Sequence, residues 1–421
     1  MRIAVATQYL YRVGGVETYL ECVLPALTAR GHEVRVWHEF PSVPDVERIV
    51  PAAIPSCQIG PGIEGADRAR QDLTGGVPDV IFLHGLSDPA LEERLGALAP
   101  LVTFLHTYHG TCISGTKTHS FPTPRVCSRA LGPGCLLRYY PQRCGGWSPV
   151  TMVTSYARQR RRQALLRSSG FVTTFSEHMR RECLTQGIDA TRVIRLPAFT
   201  PSDLEVAHDT PRPSPIDDAP AARQPDTRKH LLFVGRMEKL KGGEVFIDAI
   251  DRLDPALRRH LRVTFAGDGR ERARWEQQAA RVSRGEVEIR FVGWRSRADL
   301  YDGVDLLVVP SLWPEPLGLV GLEAAAAGVP AVGFDVGGIR EWLVDGVTGR
   351  LVPAVPASAT ALAAALEECL NAPAMMASWA KNARAESCRR TLAAHVLALE
   401  DVFNRVVPGS FERRVARKHE M

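Results

Sequence analysis

The sequence predicts an α/β protein built from two doubly wound, mainly parallel domains that face each other across a central cleft. Three observations lead there. Short apolar runs alternate with helix-period stretches along nearly the whole chain. A polar, Pro-rich break interrupts that alternation near the middle. The 421 residues, 45% hydrophobic and 24% charged, suit two or three domains with real cores.

In the first half, strand-like runs are expected at Ile3–Ala6, Glu33–Trp37, Val80–His84, Leu101–His106, Phe171–Phe175 and Val193–Leu196. The first helix is expected after Gly14-Gly15, with Val16, Tyr19, Leu20, Val23, Leu24 and Leu27 at helical spacing and a stop at Gly31. Residues 1–200 read as one domain with a Cys-rich insertion at 110–147. Residues 201–229, with Pro211, Pro213, Pro215 and the Asp217-Asp218 pair, read as a linker. A second series occupies 230–390, with strands expected at Leu231–Arg236, Val263–Gly267, Val287–Val292, Leu306–Pro310, Ala331–Phe334 and Arg350–Val352. Residues 391–421 hold a last helix, near Leu392–Val407, long enough to cross back to the first half.

Net charge is +5 but unevenly placed. Residues 1–100 carry 8 basic and 13 acidic side chains, and residues 101–200 carry 14 basic and 3 acidic. No Asp or Glu falls between Glu93 and Glu177, so that stretch offers no catalytic carboxylate and attracts anions. The start, Met1-Arg-Ile-Ala-Val-Ala-Thr7, reads as a strand rather than a secretory leader, and no apolar run reaches membrane-spanning length. A cytoplasmic protein, at most peripheral to the inner face of a membrane, is expected.

Glu315-Pro-Leu-Gly-Leu-Val-Gly-Leu-Glu323 sets two carboxylates around seven small or apolar residues. It follows the run Asp305–Ser311 and enters a helix stopped by Gly328 and Pro330. The first carboxylate then sits on a loop above a parallel strand, and the second about two turns along at ~1.5 Å per residue. Between them a helix N-terminus offers backbone N–H groups to an anion. Such a site suits a molecule with hydroxyls at both ends and phosphates between. Upstream, Gly235-Arg-Met-Glu-Lys-Leu-Lys-Gly242 places Arg236 and Lys241 at a strand-to-helix turn, where cations can neutralise a departing diphosphate.

Together these stretches resemble the donor site of the family-four glycosyltransferases, retaining enzymes of the GT-B fold, and the resemblance covers most of the chain. It implies that Glu315 contacts hydroxyls of the donor sugar, that Glu323 holds the ribose, and that backbone N–H groups of Gly318, Leu319 and Val320 reach sugar or phosphate. It implies phosphate stabilisation by Arg236 and Lys241, and a glycine-rich loop at Gly14 and Gly15 against the diphosphate. His106, at a strand end, matches a position near the sugar and the attacking hydroxyl, with His84 as a competitor and His109 as a weaker neighbour. The nucleotide base is expected near Val292, in the loop Phe291-Val-Gly-Trp294. The implied donor is a nucleoside-diphosphate sugar. The acceptor stays open among a lipid-linked sugar, a saccharide or a small molecule.

No Asp-x-Asp occurs anywhere, so a metal-independent donor site with no required cofactor is expected. Cys112, Cys127, Cys135 and Cys144 could hold a structural zinc, remain reduced thiols, or form two disulfides. Arg158-Gln-Arg-Arg-Arg162 reads as a basic amphipathic helix for anionic headgroups or a polyanion, or as a solvated face. No nucleic-acid recognition motif accompanies it. Two other readings stay open: a nucleotide-sugar epimerase or hydrolase on the same fold, and a non-catalytic polyanion-binding module.

Overall fold

The computed structural model describes residues 1–42, 48–73, 76–201, 228–283 and 286–407. Most of the expected linker, 202–227, therefore lies outside the described residues. The chain forms two compact units. One holds Met1–Lys117, Ser128–Ala198 and Leu392–Met421; the other holds Thr118–Cys127 and Phe199–Thr391. Residues 118–127, inside the Cys-rich stretch expected for the first domain, thus group with the second unit.

The strands are Arg2–Thr7 (β1), Glu33–His38 (β2), Ser56–Gln58 (β3), Val80–Leu83 (β4), Leu101–Phe104 (β5), Thr118–His119 (β6), Arg125–Val126 (β7), Phe171–Thr174 (β8) and Val193–Arg195 (β9). They continue with Lys229–Val234 (β10), Leu261–Ala266 (β11), Glu288–Gly293 (β12), Leu306–Val309 (β13), Ala331–Phe334 (β14) and Gly349–Val352 (β15).

In the first unit seven strands pair in the order β3-β2-β1-β4-β5-β8-β9, all parallel. The second unit has a six-stranded parallel sheet, β12-β11-β10-β13-β14-β15. A parallel sheet covered by helices on both faces needs strands that are apolar throughout. The runs Val80–Leu83 and Leu306–Val309 are buried at every position for that reason. Each sheet reverses direction of growth once, between β1 and β4 and between β10 and β13. Loops leaving the carboxyl ends of those strand pairs frame the crevice where doubly wound sheets bind ligands.

Helix Gly15–Ala29 buries Tyr19, Leu20, Val23, Leu24 and Leu27, the stripe expected from their spacing. The last helix, Leu392–Val406, packs on this first unit. Its His395 is wholly buried and bridges Pro197 O (2.7 Å from Nδ1) and the Tyr19 hydroxyl (2.9 Å from Nε2). A carbonyl only accepts, so Nδ1 carries the proton and Nε2 accepts from Tyr19. Farther along, Glu400 takes a two-pronged bond from Arg30 and a third from His32.

Candidate active site

The switch-point loops of the second sheet bring together residues 74 positions apart. The loop after β10 makes a short turn at Lys239–Lys241, and the loop after β13 carries Ser311 to Glu315. Leu312 N and Trp313 N both donate to Leu240 O, which ties the two loops. Lys241 Nζ then lies 2.7 Å from Glu315 Oε1, and Ser311 Oγ donates to the same oxygen. The ammonium also sits 5.0 Å over the Trp313 ring. Glu315 is buried, and among the described residues Lys241 is its one charged partner, on Oε1.

Two glycines make this geometry possible. Gly242 ends the Lys241 turn at φ 75°, and a Cβ there would fall 1.8 Å from Pro310 O. Gly337, at φ 60°, would put a Cβ 2.3 Å from Glu315 O, and its neighbour Gly338 donates to that carbonyl at 2.6 Å. Gly242→Ala must open the β10 and β13 loops and adopt a strained φ. It is expected to cost about 2–4 kcal/mol, read as a lowered urea midpoint; a midpoint equal to wild type would show that the loops are not locked as described.

The helix Leu319–Ala326 opens at Gly318, in the left-handed conformation, with no side-chain cap. Its first-turn N–H groups, those of Leu319 and Val320 among them, point out of the helix start as an anion-binding end. Trp342 closes the apolar side, packing against Gly318 and Gly321 and donating to Leu317 O at 2.8 Å. Glu323 lies on the same helix and is buried. The Tyr301 hydroxyl donates to its Oε2 at 2.9 Å, and Arg297 stands 3.9 Å from its Oε1. Burial and the adjacent carboxylate push the Tyr301 hydroxyl well above its usual pKa, so it stays a donor.

Arg236 is exposed at the β10 exit. Val292 lies on β12, an edge strand two positions from β10, with Trp294 exposed just beyond it.

In the first unit Gly14 is extended (φ −171°), and its N–H donates to Glu17 Oε2 at 2.7 Å. The Gly14 N–H is thus held by the chain's own buried carboxylate at the helix start, a one-way cap because glycine has no side chain to return it. His106 follows β5 and pairs through Nε2 with His84 Nδ1 at 2.9 Å; its ring stacks 4.1 Å from Phe104. Burial, then the nearby His395, holds His106 down at about 3, so the pair is neutral near pH 7. His109 does not join this pair; burial and Arg162 hold it down at about 4.

Profile comparisons match two family descriptions. Glycosyltransferase Family 4 covers residues 13–200, and glycosyl transferases group 1 covers residues 216–386. The chain belongs to the family-four, group 1 glycosyltransferases. It is 40% identical over 170 residues to the glycogen synthase of Mycobacterium tuberculosis, covering 39% of each chain. It is 28% identical over 383 residues to the phosphatidyl-myo-inositol mannosyltransferase of Mycobacterium leprae, 86% of each. In fold it is similar to Alr3699/HepE of Anabaena in complex with UDP, with a TM-score of 0.68 and 18% identity, over 96% of this chain and 100% of that one. The chain therefore spans about two fifths of the glycogen synthase it matches.

In this group 1 glycosyltransferase the sequence marks out Glu315, Glu323 and Lys241 but not what holds them, since Ser311, Trp313, Tyr301 and Arg297 carry no signature of their own. Glu17 alone is placed by a pattern, three residues past Gly14 at the spacing of a helix-start cap.

Among the described residues no group of three or more His, Cys, Asp or Glu is placed to hold a metal ion, and no disulfide joins any of the nine cysteines. Cys112 Sγ accepts from Lys117 N, and Cys135 and Cys144 pack on a small core of Ile113, Leu131 and Tyr139. Cys127 falls in the other unit from the rest. The stretch Arg158–Arg162 is not a uniform basic face either. Arg162 is buried, with Nε 2.9 Å from Glu92 and Nη2 on Leu86 O, and Arg161 pairs with Glu93. Their work is to dock helix Pro149–Ser168 onto the first sheet's helices.

Proposed function

We propose that the chain transfers a hexose from a nucleoside-diphosphate sugar to an acceptor hydroxyl, with retention of configuration and without a metal at the donor site. The observation that carries this reading is the Lys241–Glu315–Ser311 cluster at the switch point, followed directly by an uncapped helix start and Glu323. Glu315 takes the sugar hydroxyls. Lys241 and Arg236 neutralise the diphosphate as the glycosidic bond breaks, with the Leu319 and Val320 N–H groups adding partial positive charge. Glu323, held by Tyr301, takes the ribose hydroxyls. His106, neutral, offers a hydrogen bond to the sugar or the attacking hydroxyl. No carboxylate between Glu93 and Glu177 is available as a nucleophile or base. The proposed step is therefore same-face attack, the leaving phosphate oxygen accepting the acceptor proton. The absence of Asp-x-Asp supports the metal-free donor site. The names of the relatives support a role in glycan or glycoconjugate synthesis.

A thermal-shift and calorimetric panel of UDP-, GDP- and ADP-sugars tests this. One nucleotide series is expected to stabilise the protein whether or not EDTA is present. Glu323→Ala is expected to weaken that binding about tenfold or more. Binding by no series, or unchanged binding in Glu323→Ala, would overturn the reading. Donor turnover without an acceptor would favour the epimerase or hydrolase alternative.

A further inference from the structure

Twelve large apolar side chains stand exposed among the described residues, and four of them fall between positions 137 and 153. Leu137 (78% exposed) lies next to last in the short helix Gly134–Arg138. Trp147 (70%) precedes the Ser148 cap of helix Pro149–Ser168, and Val150 (71%) and Val153 (55%) lie on its first turns. Val150 and Val153 are three apart, so they share one face. The opposite face is already used: Met152 and Tyr156 pack inward on Ile113, Leu131 and Tyr139. The exposed residues are therefore not a core left partly open. They are a second, outward apolar face on a folded platform. Scattered apolar residues on a surface need no explanation, but a cluster of this density does.

The charge around this face has one sign. Arg138, Arg143, Arg158, Arg160 and Arg161 lie within the same segment, and no Asp or Glu occurs from position 94 to 176. Arg143 sits 5.6 Å over the Trp147 ring, and the Tyr140 ring stacks on the same indole with centroids 6.2 Å apart. Among the described residues, Arg161 pairs with Glu93, outside the segment. A tryptophan with aliphatic neighbours and a rim of guanidinium groups matches the boundary between acyl chains and phosphate headgroups. The indole and valines enter the boundary while the arginines stay at the phosphates.

We infer that the Leu137–Trp147–Val150–Val153 face docks the protein onto an anionic lipid surface. The contact centres on the apolar residues before and at the start of the helix, not on Arg158–Arg162, where Arg162 is buried. It stands on this surface alone and does not depend on the transferase reading.

Co-sedimentation of the full chain with vesicles tests it. Wild type is expected to partition about tenfold or more in favour of an equal phosphatidylcholine–phosphatidylglycerol mixture over phosphatidylcholine alone, with the preference falling as salt rises. Trp147→Ser combined with Val150→Ser is expected to lower that partition about tenfold, with an unchanged Tm because both side chains are exposed. Arg158→Ser is expected to reduce the preference for the anionic vesicle while leaving residual binding. Thermal shifts by nucleotide sugars should be the same in all these variants, so failure here and failure of the transferase reading are separable. The inference is overturned if wild type ignores the anionic vesicles, including the case where it binds only a soluble polyanion. Equal vesicle binding by the double serine variant would overturn it too.

Discussion

Lys117→Ala is expected to lower stability by about 3–5 kcal/mol, the usual result of stripping one partner from a buried ion pair. Lys117 is 1% exposed, and its ammonium is bonded to Glu182 Oε1 at 2.6 Å and to Arg129 O. The same carboxylate oxygen accepts from Gln186 Nε2 at 2.8 Å. Gln186 Oε1 in turn accepts from Leu131 N and from Gln163. The lysine therefore closes a network that pins the loop around Leu131 between helices Pro149–Ser168 and Glu177–Thr185. Removing it strands Glu182 in a dry site. Pairing Lys117→Met with Glu182→Gln should recover much of the loss, because no uncompensated charge remains. Urea unfolding of the two single variants and the double variant measures the coupling. Strict additivity would show that the pair contributes nothing to the fold.

Acid should weaken the first unit well before its carboxylates titrate. Burial holds His395 down at about 4 and His106 at about 3, and pushes His84 well below the usual value. In the unfolded chain these rings take a proton near pH ~6.5. Below that value the unfolded state binds protons that the folded state refuses, so stability falls as pH falls. The loss from His395 continues down to about 4 and that from His106 to about 3. Above about pH 6.5 these groups contribute no slope, and below it each removes up to about 1.4 kcal/mol per pH unit. Glu400, held low by Arg30 and His32 despite its burial, acts in the same direction at the acid end. The urea midpoint should drop steeply between about pH 6.5 and 4.5. His395→Gln should flatten the slope by about one group even if it is less stable at pH 7. A midpoint independent of pH across that window would contradict the buried neutral histidines.

The two parallel sheets were legible because their strands are marked at both ends and apolar throughout. Val80–Leu83 and Ala331–Phe334 have no polar alternative to burial. Short elements were not. Ser56–Gln58 and the pair Thr118–His119 and Arg125–Val126 are too brief to carry a period. At the candidate site, Glu315, Glu323 and Lys241 stand out by spacing along the chain. Tyr301 and Ser311 do not, since their roles come from where the β12–β13 connection and the β13 loop pass in space. The Cys-rich stretch was open for a related reason: spacing alone left zinc, thiols and disulfides undecided, and only the fold shows Cys135 and Cys144 against a small core and Cys112 on a backbone N–H.

The route of the chain through the first unit has a consequence for its birth. That unit is begun at Met1 but takes its closing helix from Leu392–Val406, whose His395 completes the Tyr19 site and whose Phe403 meets Phe82 at 5.3 Å. On the ribosome the segment Phe199–Thr391 emerges in full before that helix does. The part translated first must therefore wait with an uncovered apolar face while the later part acquires its whole sheet. During synthesis, maturation runs against the direction of translation, and the fifteen residues of helix Leu392–Val406 release the first unit from that wait.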